Sequence, residues 1–338
     1  MISKSTIAAA LAIAVLILDS SHTLPAASEG LQLCIRTAIP SLFPFFVLSG
    51  ILVPGLSGIR IPWLRRLLHV PAGWESVFLL GCIGGYPIGA QCICQGYRSG
   101  HLSGRQARRM LGFCNNCGPS FLFGVTALFF PHPGYAFGIM GIGILSAMCV
   151  GHLWPDAGES VAEAAGIPSV SLPRAVKQAI HSMANVCAWI ILGKILTDGL
   201  RRTVLPFLPG EWGVLLTGLV ELTNGCMLLG TVENLYARFM TACIMCIFGG
   251  ICVAMQVSSI CADAGLSAKG YLMQKVVQAF FAAGIIWSIH APQLLIVWIL
   301  FPLFLYIRKT AVAFPKKMVY NTDRKGGYRH AVPKKNRA

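Results

Sequence analysis

Two apolar segments of this chain are interrupted at mid-length by polar, glycine-bearing residues, and the interruptions occupy matching places. The first segment starts at residues 71–74 and is interrupted at 84–87, and the second starts at 209–212 and is interrupted at 221–225. Within hydrocarbon, irregular backbone is tolerated only where protein surrounds it or where it lines a cavity. Matching interruptions in two halves of a membrane chain indicate the binding site of a transporter.

The low charge content indicates a membrane protein. Only 12% of the residues are charged and 55% are apolar, with a mean hydropathy of +0.68, whereas about 25% of residues are charged in a typical soluble domain. Many stretches of roughly 20 residues contain one charge or none, and this length crosses about 30 Å of hydrocarbon. The sequence therefore predicts a multi-pass protein in the lipid bilayer of the cell membrane.

The apolar segments divide into full spans and two re-entrant hairpins. A hairpin arm such as 74–83 rises about 15 Å as a helix and ends at the bilayer midplane. We predict re-entrant hairpins at 74–97 and 212–235, and glycine and proline supply the turn of the first. The predicted full spans are 5–20, 31–53, 110–130, 134–154, 178–197, 238–260, 270–289 and 291–307.

The segments after residue 30 follow the same order twice, which indicates an internal repeat. Three predicted spans separate the hairpins, so the two copies enter from opposite faces and the repeat is inverted. The predicted fold is all-α, with two inverted repeats that each contain a re-entrant hairpin and an interrupted transmembrane helix. A rival match between 84–91 and 249–256 breaks this order, and we interpret it as two similar interruptions.

The chain divides into six predicted regions. The first can be a retained transmembrane helix or, alternatively, a cleaved signal peptide. The regions are an N-terminal transmembrane helix (1–30), the first membrane repeat (31–154), a cytosolic linker (155–177), the second membrane repeat (178–290), a last transmembrane helix (291–307) and a basic, disordered tail (308–338).

Positive charge is concentrated at the C-terminus. Of the 27 lysines and arginines, ten lie between residues 308 and 337 in a tail with a single acid, as is typical of a cytosolic anchor to anionic lipid. With both termini cytosolic, only Arg201, Arg202 and Arg238 of the basic residues outside the spans face outward, in agreement with the positive-inside rule. The tail has few aromatic residues for base stacking, so we expect no nucleic-acid partner.

The interrupted span 110–130 contains a candidate anion site. Gly118 can end the first half-helix, and Pro119 suits the first position of the next one. The free N–H groups of the second half-helix would then point into the protein, where Asn115, Asn116 and Ser120 add side-chain donors for an anion. The alternative is a proline kink whose backbone groups are satisfied by neighbouring helices.

The second hairpin carries an acidic candidate, Glu221. A carboxylate at mid-membrane is costly and usually marks an ion or proton path. Glu221 could carry a coupling proton, while Thr223 and Asn224, next to Gly225, could bind substrate or Na⁺. The alternative is a structural acceptor that holds the hairpin tip through backbone N–H groups.

Other polar residues complete the candidate set. We interpret Lys194 and Lys275 as side chains that extend to the membrane interface, with Lys194 paired to Asp198. Cys114 and Cys117 form a CxxC motif, but no second pair of zinc ligands follows at a fitting spacing, and no catalytic set can be assembled. We therefore expect no enzyme and no resident metal or cofactor, with Na⁺ or H⁺ as the only ions to be coupled. The remaining predicted substrate-binding residues are Gly84, Gly85, Tyr86, Pro87, Gly249, Gly250 and Gln256.

Four stretches resemble a known family. They are GYPIGA (85–90), FCNNCGP (113–119), ELTNG (221–225), and GG with QV (249–257). At these residues the chain resembles the YlbJ-type sporulation integral membrane proteins, within the nucleoside-recognition (Gate) domain group. The resemblance implies a permease fold with hairpins and broken helices around a central site. It also implies a link to spore formation and to the movement of dipicolinate.

Together these features predict a transporter or permease for a small, anionic or heterocyclic metabolite of the dipicolinate type. The alternatives are a nucleoside-type carrier, a non-transporting membrane scaffold that recruits partners through the tail, and an intramembrane redox enzyme that uses the CxxC motif. The expected partners are a small-molecule substrate and the lipid bilayer, and a homo-oligomer stays open.

Overall fold

Helices account for all regular secondary structure in the residues that the computed structural model describes, which are 4–56, 58–153 and 170–288. The all-α part of the prediction is confirmed for these residues. The predicted last span (291–307), the basic tail (308–338) and most of the predicted linker (155–177) lie outside them.

The described helices before residue 154 begin with three long helices, continue with five short ones and end with a long one. A π-helical turn, Cys34–Ala38, joins α2 to α3, and a 3₁₀ turn, Thr126–Phe129, follows α8. The helices are α1 (Lys4–Leu18), α2 (Ser20–Leu33), α3 (Ile39–Leu56), α4 (Pro62–Leu68), α5 (Glu75–Gly84), α6 (Ile88–Arg98), α7 (Gly104–Cys114), α8 (Pro119–Gly124) and α9 (Gly134–Leu153).

The described helices after residue 170 follow a related order of lengths. Short 3₁₀ turns follow two of them, at Leu205–Phe207 and Leu229–Thr231. The helices are α10 (Leu172–Thr203), α11 (Gly210–Val220), α12 (Leu222–Met227), α13 (Leu235–Phe248), α14 (Gly250–Asp263) and α15 (Tyr271–Trp287).

Four stretches of the described residues are long and apolar enough to cross a membrane, by length and composition. They are Ser20–Leu52, Gly134–Leu153, Leu172–Thr203 and Leu235–Asp263. Apolar side chains such as Leu48 and Leu196 remain exposed on these helices, as expected where lipid rather than water is the solvent. The prediction of an integral membrane protein is therefore confirmed.

The N-terminal helices run in one direction along α10. The predicted boundary between residues 30 and 31 lies within the continuous run from α2 through the π-helical turn to α3. Gly30 allows close packing, because a Cβ there would lie 3.0 Å from the Cα of Ile191 on α10. Ion pairs from Asp19 to Arg202 and from Glu29 to Lys194 join the same two elements.

Two pairs of short helices fold back on themselves. In the first pair, α5 and α6, the ring of Trp74 fills the space that a Cβ on Gly96 would occupy, so the open ends of the pair meet. In the second pair, α11 and α12, a Cβ on Gly225 would overlap the backbone of Gly218. Each pair is therefore a tight helical hairpin, closed by glycine where the two backbones touch.

Each hairpin packs against the end of an interrupted helix, close to its break. A Cβ on Gly81 or Gly89 would overlap the carbonyl of Cys114, which ends α7. In the second half, a Cβ on Gly218 or Gly225 would approach the side chain of Met245 on α13. The hairpins therefore position their tips beside the two helix breaks, which gives the site its location.

Candidate functional site

The two hairpin tips and the two helix breaks meet in the interior of the protein. Gly85, at the first tip, lies against Gly118, where a Cβ would come within 2.7 Å of the Gly85 Cα. At the second break, a Cβ on Gly250 would lie 3.1 Å from the Gly218 carbonyl oxygen. The predicted interruptions are thus brought together.

Tyr86 connects the first hairpin to the second interrupted helix. Its hydroxyl lies 3.3 Å from the carbonyl oxygens of Cys246 and Ile247, at the end of α13. A Cβ on Gly249 would lie 2.8 Å from the same hydroxyl. Gly249 and Gly250 have φ values of 85° and 83°, which favour glycine, so the α13 break depends on glycine both for its backbone angles and for space.

A cavity of about 50 Å³ lies where these elements meet. Its polar lining comes from predicted site residues, and the rest of its wall is apolar. The predicted residues that line it are Gly85, Tyr86, Gly118, Ser120, Glu221, Thr223 and Gln256. The apolar wall consists of Leu42, Phe46, Phe121, Val186, Leu222 and Val253. Sequence analysis missed the wall residues on α3 and α10, because apolar residues in apolar helices carry no distinguishing pattern.

Glu221 is the N-cap of α12 and is buried at the second hairpin tip. Its carboxylate oxygens accept hydrogen bonds from the backbone N–H groups of Thr223, at 3.1 Å, and Asn224, at 2.7 Å. A carboxylate at a helix N-terminus satisfies free donors and the helix dipole. This is the geometry of the structural alternative. Glu221 also lines the cavity, and its role in coupling stays a prediction.

The two asparagines of the first break are used by the protein interior. Asn115 donates to the Tyr271 hydroxyl at 3.0 Å. Asn116 donates to the Phe113 carbonyl at 2.7 Å and accepts from Gln278 at 3.0 Å. Of the residues predicted for the anion site, only Gly118 and Ser120 line the cavity. The second half-helix, α8, has six residues, so its dipole is short.

The other predicted residues have backbone roles or face a different space. Pro87 follows a cis peptide bond to Tyr86. Gly84 ends α5, and Pro119 begins α8. Asn224 lines an open cleft on the other side of the second hairpin tip, away from the cavity that Glu221 and Thr223 line.

Lys275 corrects an expectation, because it does not extend to the membrane interface. Its side chain is fully buried on α15. The ammonium donates to the Asn115 carbonyl at 2.9 Å and to Oε1 of Gln278 at 2.6 Å. It also lies 5.4 Å from the centre of the Tyr86 ring. The carbonyl end of α7 holds the ammonium inside the protein, since helix C-termini attract cations.

Lys194 also has a different partner from the one expected. Its ammonium pairs with Glu29 at 2.9 Å, and Asp198 instead pairs with Arg201 and Arg202, each at 3.1 Å. Lys194 pairs with Glu29 rather than Asp198 because α2 packs directly against α10 at this position.

All of these charged residues except Arg202 line an open cleft of about 350 Å³. Arg36 extends into it from the π-helical turn and is exposed, and it has no ion-pair partner in the part of the chain that the structure describes. The π-helical turn is a feature that often marks a functional position. The cleft is lined by Glu29, Gln32, Leu33, Arg36, Thr37, Lys194, Thr197, Asp198, Arg201, Leu205, Thr217, Asn224, Met227 and Leu228.

The cysteines of the CxxC motif do not form a disulfide with each other. Cys114 is buried under the first hairpin, and Cys117 lines a small cavity of about 20 Å³ next to Asn116 and Gln278. Within the described residues, no group of three His, Cys, Asp or Glu side chains is placed to hold a metal ion.

One curated protein is similar to the chain over most of its length. The chain is 23% identical over 316 aligned residues to the sporulation integral membrane protein YlbJ of Bacillus subtilis (strain 168), covering 79% of this chain and 77% of that protein. No family model matches the chain, and no solved structure matches it significantly. The predicted resemblance to YlbJ-type proteins is confirmed, and membership of the Gate-domain group stays a prediction.

Proposed function

Because the chain resembles a YlbJ-type integral membrane protein, we propose that it is a permease for a small, anionic or heterocyclic metabolite. The single observation that carries this proposal is one cavity lined by both hairpin tips, by the first helix break and by α14, the half-helix that follows the second break. Transporters place substrate sites at such discontinuous helices, because half-helix ends offer free polar groups inside the bilayer. The proposed link to sporulation and the proposed dipicolinate type of substrate rest on the resemblance alone.

The paired contacts support the proposal of an inverted repeat with re-entrant hairpins. In each half a pair of hairpin glycines packs against the end of the helix before the break, Gly81 and Gly89 against the Cys114 carbonyl and Gly218 and Gly225 against the Met245 side chain. Such hairpin arms are about 15 Å long as helices and would end near the midplane. Two hairpins that each pack against a broken helix are the arrangement expected of duplicated halves.

The contacts also agree with the proposed topology, in which both termini are cytosolic. On one side, Arg109 donates to the carbonyls of Leu68, His69 and Gly151. On the other side, Arg202 pairs with Asp19. The first group includes Arg109, which the positive-inside rule assigns to the cytosol, and the second includes Arg202, which the proposed topology assigns to the outside.

We propose that substrate reaches the cavity through the cleft. The cleft has three basic and two acidic side chains, and because Lys194 and Arg201 are paired to the acids, Arg36 gives it a net positive charge that attracts an anion. The second hairpin tip separates the cleft from the cavity, with Asn224 on one side and Glu221 on the other. Movement of that tip would open a path past Glu221. The rings of Tyr86, Phe46 and Phe121 would then pack against a heterocycle.

Coupling to an ion belongs to the same proposal. Glu221 is the buried carboxylate of the cavity and is the group that would carry a proton if transport is proton-coupled. Uncoupled facilitated movement uses the same path without this step. A nucleoside-type carrier and a tail-dependent scaffold remain the competing functions.

Transport into liposomes tests the proposal. Purified protein is reconstituted and offered labelled dipicolinate, a labelled aliphatic dicarboxylate and labelled nucleosides, with empty liposomes as the blank. We expect uptake of dipicolinate that unlabelled dipicolinate inhibits. Saturable uptake of nucleosides in its place would support the competing carrier. The absence of any uptake by a protein that remains folded would overturn the permease proposal.

A further inference from the structure

An oxygen-lined cage surrounds the ammonium of Lys275 at the first break. The Asn115 carbonyl lies 2.9 Å from the Lys275 nitrogen, Gln278 Oε1 lies at 2.6 Å, and the Tyr86 ring covers a further side at 5.4 Å. Lys275 and Gln278 are fully buried, and Tyr86 is half-buried. The ammonium is therefore held on several sides by protein groups.

The groups of this cage are those that bind a monovalent cation. They comprise a backbone carbonyl at a helix C-terminus, a side-chain amide oxygen and an aromatic face. Interrupted membrane helices coordinate Na⁺ through the same kinds of unwound carbonyls and half-helix C-terminal ends. In the described residues, no carboxylate forms an ion pair with Lys275.

A second layer of hydrogen bonds fixes the cage. Gln278 donates to Asn116 Oδ1 at 3.0 Å and to the Gly143 carbonyl at 3.2 Å, which turns its own carbonyl oxygen toward Lys275. This network joins α15 to the first break and to α9. A buried charge without an oppositely charged partner is costly, so an apolar residue would fill the same space with less penalty. The two oxygen acceptors and the Tyr86 ring offset part of this cost.

We propose that Lys275 is a built-in cation that permanently occupies a monovalent-cation cage at the first break. The cage itself follows from the geometry alone. Its consequence rests on the proposed function: the first break needs no dissociable Na⁺ during transport, and the wild-type protein does not depend on Na⁺ at this position. Removal of the side-chain amine would open the cage to Na⁺ or to a small alkylammonium ion.

Thermal unfolding tests the cage without reference to transport. Purified wild type, Lys275→Ala and the control Lys194→Ala are each heated in equal concentrations of methylammonium chloride, sodium chloride or choline chloride. Choline is too large for a cage that fits an ammonium group. We expect the unfolding midpoint of Lys275→Ala to rise by roughly 5 °C in saturating methylammonium or Na⁺ relative to choline. Wild type and Lys194→Ala should give the same midpoint in all three salts.

A double variant identifies the ligands. Lys275→Ala combined with Gln278→Leu lacks the amide oxygen of the cage, so we expect the cation-dependent rise to disappear. An equal midpoint for Lys275→Ala in the three salts would overturn the proposal. Failure to recover folded Lys275→Ala in any of these salts would overturn it too, because an added cation should replace the missing amine.

Uptake assays then separate this inference from the proposed function. If the permease proposal holds, wild-type uptake should be unaffected by replacing Na⁺ with choline, while Lys275→Ala should lose uptake in choline and regain it in Na⁺ or methylammonium. A cation-dependent midpoint without uptake in any variant would retain the cage and reject the permease. Wild-type uptake that requires Na⁺, together with cation-independent midpoints for Lys275→Ala, would retain the permease and reject the cage.

Discussion

The first helix break and the second hairpin tip carry opposite buried charges. At the first break, the ammonium of Lys275 donates to a carbonyl just beyond the end of α7. At the second hairpin tip, the carboxylate of Glu221 accepts two N–H groups at the start of α12. Helix C-termini attract cations and N-termini attract anions. Each of these two interruptions therefore holds the charge that suits the helix end beside it.

The two interruptions also differ in how they can be reached. The second hairpin tip borders the open cleft of about 350 Å³ through Asn224. At the first break, Asn116 lines a cavity of only about 20 Å³ together with Gln278, which binds Lys275, although Gly118 lines the larger cavity that the tip also reaches. The Lys275 side of the first break is consequently suited to a fixed structural role, and the second hairpin tip to contact with solutes. Four predictions test this division, beginning with the glycine packing that the two hairpins share.

The largest expected effect follows from filling a hairpin glycine in either half. Gly89→Val would drive a side chain into the Cys114 carbonyl, and Gly225→Val into the backbone of Gly218. Neither backbone can move aside cheaply, so we expect each variant to lose about 3 kcal/mol or more of unfolding free energy and to fail to accumulate as a monodisperse protein. Yield and thermal unfolding in detergent measure this loss.

Gly141→Ala is the control for both glycine variants, because a Cβ on Gly141 would meet nothing within 4 Å. It should be neutral or slightly stabilising, since alanine favours a helix interior. If one hairpin variant kept normal stability while the other failed to fold, the two hairpins would not be equivalent. That result would count against the proposed inverted repeat.

Glu221→Gln should remove the charge of the second hairpin tip and keep its backbone geometry. The amide retains one carbonyl oxygen for the N–H groups of Thr223 and Asn224, so we expect a change in stability of about 1 kcal/mol or less. Uptake should fall at least tenfold if the charge acts in transport. The exposed Glu211→Gln on α11 is the matched control and should transport as wild type does. Unchanged uptake by Glu221→Gln would reduce Glu221 to a helix cap.

The difference between Glu221 and Lys275 also explains what could be predicted from the sequence. Glu221 interrupts its own apolar segment and binds N–H groups two and three residues later, so its position and its partners are local. Lys275 binds a carbonyl 160 residues away in the chain. Only the packing of α15 against α7 brings these groups together, and no local pattern encodes that packing.

The same distinction applies to the cavity and to the fold. The glycine and proline interruptions were visible because each breaks an apolar run, and Gly85, Gly118 and the second hairpin tip do line the cavity. Phe46 and Val186, in its wall, lie on helices whose remaining faces are equally apolar, so burial against the site has no signature in sequence. Lys194 was predicted to pair with Asp198 and pairs with Glu29 for the same reason. The i, i+4 spacing to Asp198 is visible in the sequence, and the contact between α2 and α10 is not.

Tyr86→Phe should test the link between the first hairpin tip and the end of α13, with a smaller effect. The variant keeps the ring beside Lys275 and loses the hydroxyl contacts to Cys246 and Ile247. We expect a loss of about 1 kcal/mol in unfolding free energy, measured by thermal unfolding. Tyr97→Phe, on the same hairpin, should be neutral. A Tyr86→Phe protein as stable as wild type would mean that the halves are held together by packing alone.

The smallest expected effect concerns the open cleft that borders the second hairpin tip. Arg36→Gln removes an exposed positive charge without an ion-pair partner among the described residues, so it should weaken the attraction of an anion and leave the cavity intact. We expect the KM for dipicolinate uptake to rise roughly threefold at low ionic strength, with the maximal rate unchanged, and the difference to shrink in high salt because screening acts on exposed charges. Arg105→Gln, on the predicted cytosolic side, should not change the KM for substrate added outside. An equal rise for both variants would show a general surface-charge effect. The substrate would then have no preferred path through the cleft to the second hairpin tip.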